Sequence, residues 1–242
     1  MLSTETLNDI RLQRFSSLHR IPHFIHWISL RQSTFPPEQA NLELCRRHCI
    51  PPSRLVLLRQ VHGNRVTTVP QDVPPRSFPE ATAEADGLIL TEPGRFGVIR
   101  TADCVPILAV SPDPPAVALL HGGWRSLAGR LVERGLERLL QETGVAPEDV
   151  TVAVGPCIRA CCYQVGSDVP AAFSRAGYDP TSFLVGDRFD LVSAVREQAG
   201  RLGIHNLLDS GMCTFDHPNL YYSYRRDKTS QRLWTVAGFR SH

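Results

Sequence analysis

Three residues of metal-binding type stand where the chain changes direction: His62 in QVHGN, Cys104 in TADCVP and His121 in HGGWRS. Each borders an apolar run, so each is expected at the end of a strand, where residues far apart in sequence converge. Two imidazoles and a thiolate suit zinc. Three protein ligands leave a fourth tetrahedral position open, as in a catalytic site. Gly122 and Gly123 strip side chains from the corner beside His121, so a substrate can approach the backbone there. Their amides, at the start of the following helix, are expected to face an anion, and Arg125 adds a fixed positive charge. On this reading Gly123→Val hinders the substrate and leaves the zinc ligands in place.

The same residues admit plainer accounts. A glycine after a strand is turn chemistry, and a buried cysteine packs as a small apolar residue. Cys104 as nucleophile, His121 as base and Asp103 or Asp86 as orienter would make a metal-free cysteine hydrolase, in which His62 is surplus. A purely structural zinc would call for a fourth protein ligand. Copper phenol oxidation calls for several HxH pairs, and the chain contains none.

The elements that must position these groups read as follows. Strands are expected at 54–61, 65–69, 86–90, 97–100, 106–110, 116–120, 151–154 and 233–238. Helices are expected at 126–143, stopped by Gly144, and at 167–176 and 191–202. Proline patches at 35–37, 51–52, 74–75 and 112–115 read as loops. Strands outnumber helices and several look hairpin-like. The expected class is therefore α+β, a single domain over 1–242 with mixed or antiparallel sheet layers flanked by helices, residues 1–21 being an N-terminal extension. By strand alternation Gln60 shares the face of His62 and Arg59 points away.

Composition narrows the function classes. With 242 residues and 42% hydrophobic side chains the chain can bury a sizeable core. A net charge of +2 gives no warrant for nucleic acid and leaves anionic small molecules open. No apolar run is long enough for a membrane span, and the start MLSTETLNDI has no signal-peptide character. Seven cysteines without an export signal imply a reduced, cytoplasmic setting in which metal or catalytic use is open. Cys45 and Cys49, four apart on a helix around His48, read as packing residues. Cys157, Cys161 and Cys162 cluster around Gly155-Pro156 and offer ligands among themselves. Oligomeric state is not legible.

RQVHG from Arg59, ADG from Ala85, TADCVP from Thr101, HGGWR from His121, GPCI from Gly155, CYQVG from Cys162 and YRRD from Tyr224 occur in this order. Together they resemble the family once called laccase-domain or multicopper polyphenol oxidases, now described as zinc-dependent purine nucleoside phosphorylases and, in bacteria, as peptidoglycan editing factors. The resemblance implies a metal on His62, Cys104 and His121, with zinc ahead of copper. It implies phosphorolysis of adenosine, inosine, guanosine and methylthioadenosine, deamination of adenosine, and a pocket wall at Cys162 and Tyr163. Cys104, His121 and Arg125 are then the expected catalytic residues. Gln60, Gly123, Arg125, Cys162, Tyr163 and Arg226 are the expected contacts to purine nucleoside and phosphate. Three departures from the family pattern stand at Gly122, Ser126 and Gln164; the last replaces a glutamate and argues against an acid–base role there.

Overall fold

The computed structural model describes residues 1–32, 34–69 and 81–241; the proline loop expected at 74–75 lies outside them. The chain runs β1 (Leu2–Leu7), β2 (Ile10–Phe15), β3 (Phe24–Ser29), α1 (Pro37–Arg47), β4 (Leu55–Arg59), β5 (Val66–Thr68), β6 (Ala83–Glu84) and β7 (Gly87–Leu90). It continues through β8 (Phe96–Thr101), β9 (Val105–Pro112), β10 (Pro115–Gly122), α2 (Trp124–Ala128), α3 (Leu131–Thr143), β11 (Thr151–Val154), α4 (Asp168–Arg175), β12 (Leu184–Val185) and β13 (Arg188–Phe189). It closes with α5 (Leu191–Gly200), β14 (Leu207–Asp209), α6 (Tyr224–Asp227) and β15 (Leu233–Phe239).

All of these strands but β12 and β13, which pair with each other, form two large mixed sheets, ordered β1-β2-β3-β15-β8-β4-β6 and β14-β11-β9-β10-β7-β5. Their inner faces meet in one core, where Ile28, Val56, Ile99 and Ala237 of the first sheet pack on Leu88, Leu108, Val117 and Leu119 of the second. Alternation sends the neighbours of these residues outward. Ile107, Ala118 and Leu120 pack under α3, α4 and α5, whereas Trp27, Val98 and Val236 pack under α1, where Cys45 is buried. The result is four layers, helix, sheet, sheet and helix. Because both faces of each sheet are covered, β9 and β10 read as continuous apolar runs rather than as alternating ones. The expected α+β class with sheet layers flanked by helices is what the chain forms.

Two expectations are corrected. Residues 2–15, expected to lie in an N-terminal extension, form an antiparallel hairpin that extends the first sheet through β2 and β3 and buries Ile10, Leu12 and Phe15. The helix expected over 126–143 is two helices, because Arg130 takes a left-handed conformation with φ 64°. Leu127 and Leu131 lie four apart on either side of the break, so the apolar period runs through it unmarked. Asn64 Nδ2 donates to the Gly129 carbonyl at 2.7 Å, tying the end of α2 to the loop that carries His62.

Candidate metal centre

The two sheets meet at one end around the expected triplet. β9 and β10 pair in a register that sets Gly122 opposite Val105, so Cys104 at the head of β9 lies beside His121 at the tail of β10. The chain reaches Cys104 from β8 of the other sheet through Ala102-Asp103, with Asp103 at φ 95°. His62 follows β4 of that first sheet and sits at φ 60°. Left-handed conformations at non-glycine residues cost about 1–3 kcal/mol each and persist where surrounding bonds impose them.

Asp86 imposes the one at His62. It lies immediately before β7, is fully buried, and accepts bonds from the amides of Val61 (3.2 Å), His62 (2.9 Å) and Gly63 (2.7 Å). Its Oδ1 also accepts from His121 Nδ1 at 2.8 Å. Four donors thus converge on one carboxylate. Burial alone would raise the Asp86 pKa, but the bonds from His121 and from the Gly63 and Val61 amides hold it below its usual value. With Nδ1 of His121 bonded to the carboxylate, Nε2 is the nitrogen left over, and it is the one that would ligate a metal.

The ligand atoms of His62, Cys104 and His121 lie within 4.8 Å of one another. The two imidazole rings meet edge to face, with centroids 4.8 Å apart. Burial would push the Cys104 thiol up; His121 foremost, and then His62, overcome it and bring the thiol below its ordinary value. Conversely, Cys104 and Asp86 raise His121 against the burial that would lower it. A thiolate with two imidazoles, one of them oriented by a buried carboxylate, is a donor set that fits a zinc-type ion. His62, Cys104 and His121 would hold it.

The triplet forms the floor of a cleft of about 540 Å³. Its walls carry five cations, Arg100, Arg125, Arg225, Lys228 and Arg232, and rings from Trp124, Tyr163 and Tyr224. The Arg125 guanidinium lies over the Trp124 ring at 4.2 Å, and Arg225 lies over Tyr163 at 5.0 Å. Among the described residues the lone acidic residue of the lining is Asp103. It is spoken for, accepting from Thr214 Oγ1 at 2.6 Å and from the Arg225 amide at 2.7 Å. Among the described residues the cleft is therefore strongly positive.

Gln60, Gly123, Arg125 and Tyr163 line the cleft, beside the three ligand residues. Gln60 is held there by a two-way bond with the Arg100 backbone, both legs 2.9 Å, while Arg59 points away toward Glu84. Two expected contacts lie elsewhere. Arg226 spends its guanidinium on the carbonyls of Thr214, Phe215 and Tyr221 and on Asp227, so it braces a loop while Arg225 next to it faces the cleft. Cys162 turns from the cleft toward Asp216 at 2.9 Å.

The glycines also differ from expectation. The Gly123 amide donates to the His121 carbonyl at 3.0 Å, so this amide is not free for an anion. Gly123 has an ordinary extended backbone, and what excludes a side chain is proximity. A Cβ there would meet His62 Cδ2 at 3.0 Å and Cys104 Sγ at 3.4 Å. Gly123→Val would thus press on two ligands rather than spare them. Of the two acidic residues that the sequence offered as orienter of His121, Asp86 fills the role, while Asp103 bonds Thr214 and the Arg225 amide.

The family model described as multi-copper polyphenol oxidoreductase laccase matches residues 38–240. A purine nucleoside phosphorylase of Deinococcus radiodurans is 35% identical over 184 residues, 75% of this chain and 68% of that protein. Another, of Streptomyces coelicolor, is 30% identical over 203 residues, 80% of this chain and 79% of that one. Among solved structures, YlmD of Geobacillus stearothermophilus superposes with a TM-score of 0.86 at 25% identity, covering 98% of this chain and 99% of its own. The match of the family model over residues 38–240 places the chain in the multi-copper polyphenol oxidoreductase laccase family, and its relatives at 35% and 30% identity are named purine nucleoside phosphorylases.

Proposed function

We propose that the chain is a zinc-dependent purine nucleoside phosphorylase acting on adenosine, inosine, guanosine and methylthioadenosine, with a second activity as an adenosine deaminase. The observation that carries this reading is the three-donor floor beneath a cleft whose walls combine five cations with aromatic rings. A phosphate needs cations, a purine needs rings to stack on, and both are within one volume. Zinc on His62, Cys104 and His121 would supply Lewis acidity at the floor.

The chain's own residues divide the remaining work. Arg125 and Arg225, each fixed over a ring, are placed to hold phosphate oxygens by charge-assisted bonds. In phosphorolysis a phosphate oxygen bonds to the anomeric carbon as the C–N bond to the purine breaks, and the purine leaves with a proton. In deamination water replaces the amino group of adenine and ammonia leaves. Tyr163, buried against the cleft, is protonated at neutral pH like any tyrosine, and burial and then the neighbouring Cys104 push its pKa further up, so it can donate a hydrogen bond to substrate. Product analysis tests the proposal. Inosine should give hypoxanthine and ribose 1-phosphate with phosphate present and nothing without it, and adenosine should give inosine without phosphate and adenine with it.

One observation favours a second reading. Asp86, His121 and Cys104 form a carboxylate–imidazole–thiol relay, the arrangement of a cysteine hydrolase. In that case metal-free protein stays active, and His62→Ala retains most of the activity.

A further inference from the structure

Outside the cleft, a second group of soft donors comes together from two segments of chain. Cys161 and Cys162 stand side by side in the turn after Gly155-Pro156. Cys213 and Asp216 stand three apart in the loop after β14. Their four ligand atoms lie within 4.8 Å of one another. The carboxylate of Asp216 is bracketed, with Oδ2 3.1 Å from Cys161 Sγ and Oδ1 2.9 Å from Cys162 Sγ.

The backbone holds both segments in place independently of these side chains. Thr214 N donates to the Cys157 carbonyl at 2.9 Å and Cys157 N donates to the Met212 carbonyl at 3.3 Å, locking the two loops into a parallel bridge. Cys162 N donates to the Arg159 carbonyl at 2.9 Å, and Arg188 binds the Cys161 carbonyl. Arg226 grips the carbonyls of Thr214 and Phe215, each at 2.8 Å. Such bracing is what a ligand set needs if it is to be ready before an ion arrives. Cys213 is buried, whereas Cys161 and Asp216 are exposed, so the cluster has both an inner anchor and an entry path.

We propose that Cys161, Cys162, Cys213 and Asp216 form a second metal site, a closed four-ligand cage for a thiophilic divalent cation such as Zn²⁺. Three sulfurs and a carboxylate match zinc's ligand preference, and four protein ligands leave no open position, which makes the site structural. Binding displaces the thiol protons to solvent. Its position gives it a purpose. Cys162 precedes Tyr163 of the cleft wall, and Thr214, next to Cys213, bonds Asp103, which in turn holds the Arg225 amide. An ion here would clamp the wall that carries Tyr163 and Arg225 while touching neither.

Thiol accessibility in the wild-type protein tests this without a folding risk. Zinc should slow iodoacetamide alkylation of Cys161 and Cys162 by at least about tenfold, since a metal-bound thiolate is withdrawn from reaction. The exposed Cys49 should alkylate at the same rate throughout, and a strong chelator should restore the other two. In a His62→Ala/Cys104→Ala/His121→Ala protein one zinc equivalent should remain, and adding Cys162→Ser with Cys213→Ser should remove it. Alkylation of Cys161 and Cys162 at a rate that neither zinc nor the chelator changes overturns the proposal. So does a disulfide among the three cysteines in freshly purified protein kept under reducing conditions. Loss of every zinc ion from the triple variant while it stays folded overturns it as well.

Discussion

Asp86→Asn is the substitution that separates this account from a simple list of ligands. The carboxylate takes four hydrogen bonds in full burial: Oδ2 accepts from Val61 and Gly63, and Oδ1 accepts from His62 and from His121 Nδ1. An amide of the same shape keeps one acceptor oxygen and turns a donor toward the other pair, so two donors lose their partner whichever way it flips. Buried donors left unpaired cost about 1–3 kcal/mol each, so unfolding in urea should show a loss of about 2–6 kcal/mol. The metal should suffer separately. Without the carboxylate the His121 ring is no longer held with Nε2 toward Cys104 and His62, and removal of such an orienting partner typically lowers metal affinity about 10- to 100-fold. Competition with a chromophoric chelator measures that directly. Asp103→Asn is the control: it weakens bonds to Thr214 and Arg225, so it should lower stability and leave zinc affinity nearly unchanged. A folded Asp86→Asn protein that binds zinc as tightly as wild type would refute the reasoning.

Three further outcomes follow from the site. Arg125→Ala should raise the phosphate KM about 10- to 100-fold, as expected for one charge-assisted contact of about 1.5–3 kcal/mol, with a much smaller effect on the nucleoside; equal effects on both would mean that Arg125 only packs on Trp124. Gly123→Ala should weaken zinc binding in a chelator titration, because its Cβ would press on His62 and Cys104; unchanged affinity would show that the corner relaxes freely. Arg226→Ala should lower the unfolding free energy by about 1–3 kcal/mol or more, through the carbonyls it leaves unpaired, and leave the phosphate KM within a few-fold of wild type in steady-state kinetics.

The meeting of His62, Cys104 and His121 was legible in the sequence because strand ends announce themselves. Apolar runs stop at fixed points, and His62, Cys104 and His121 stand at those points. Gln60 followed from the same alternation that located the strands. Asp86 could not be told from Asp103 as the orienter for the opposite reason. Its four donors come from residues 23 to 35 positions away, brought near only when β4, β7 and β10 assemble. The division between α2 and α3 was hidden because Leu127 and Leu131 keep the helical period across it, and only Gly129 marked the place. The N-terminal hairpin escaped because its apolar residues are few and its burial depends on a partner strand, β3, in the adjoining segment. Arg226 and Cys162 were assigned to the cleft by motif, and a motif does not say which of two neighbouring residues turns inward.

The central claim is that phosphate attacks the nucleoside in the cleft above His62, Cys104 and His121. Phosphorus NMR of the zinc-loaded protein with inosine and phosphate tests it most directly. The account predicts ribose 1-phosphate appearing in step with hypoxanthine, mole for mole, and neither product from a zinc-free Cys104→Ala protein. Hypoxanthine released with free ribose, with the phosphate signal unchanged, would contradict it and identify water as the nucleophile.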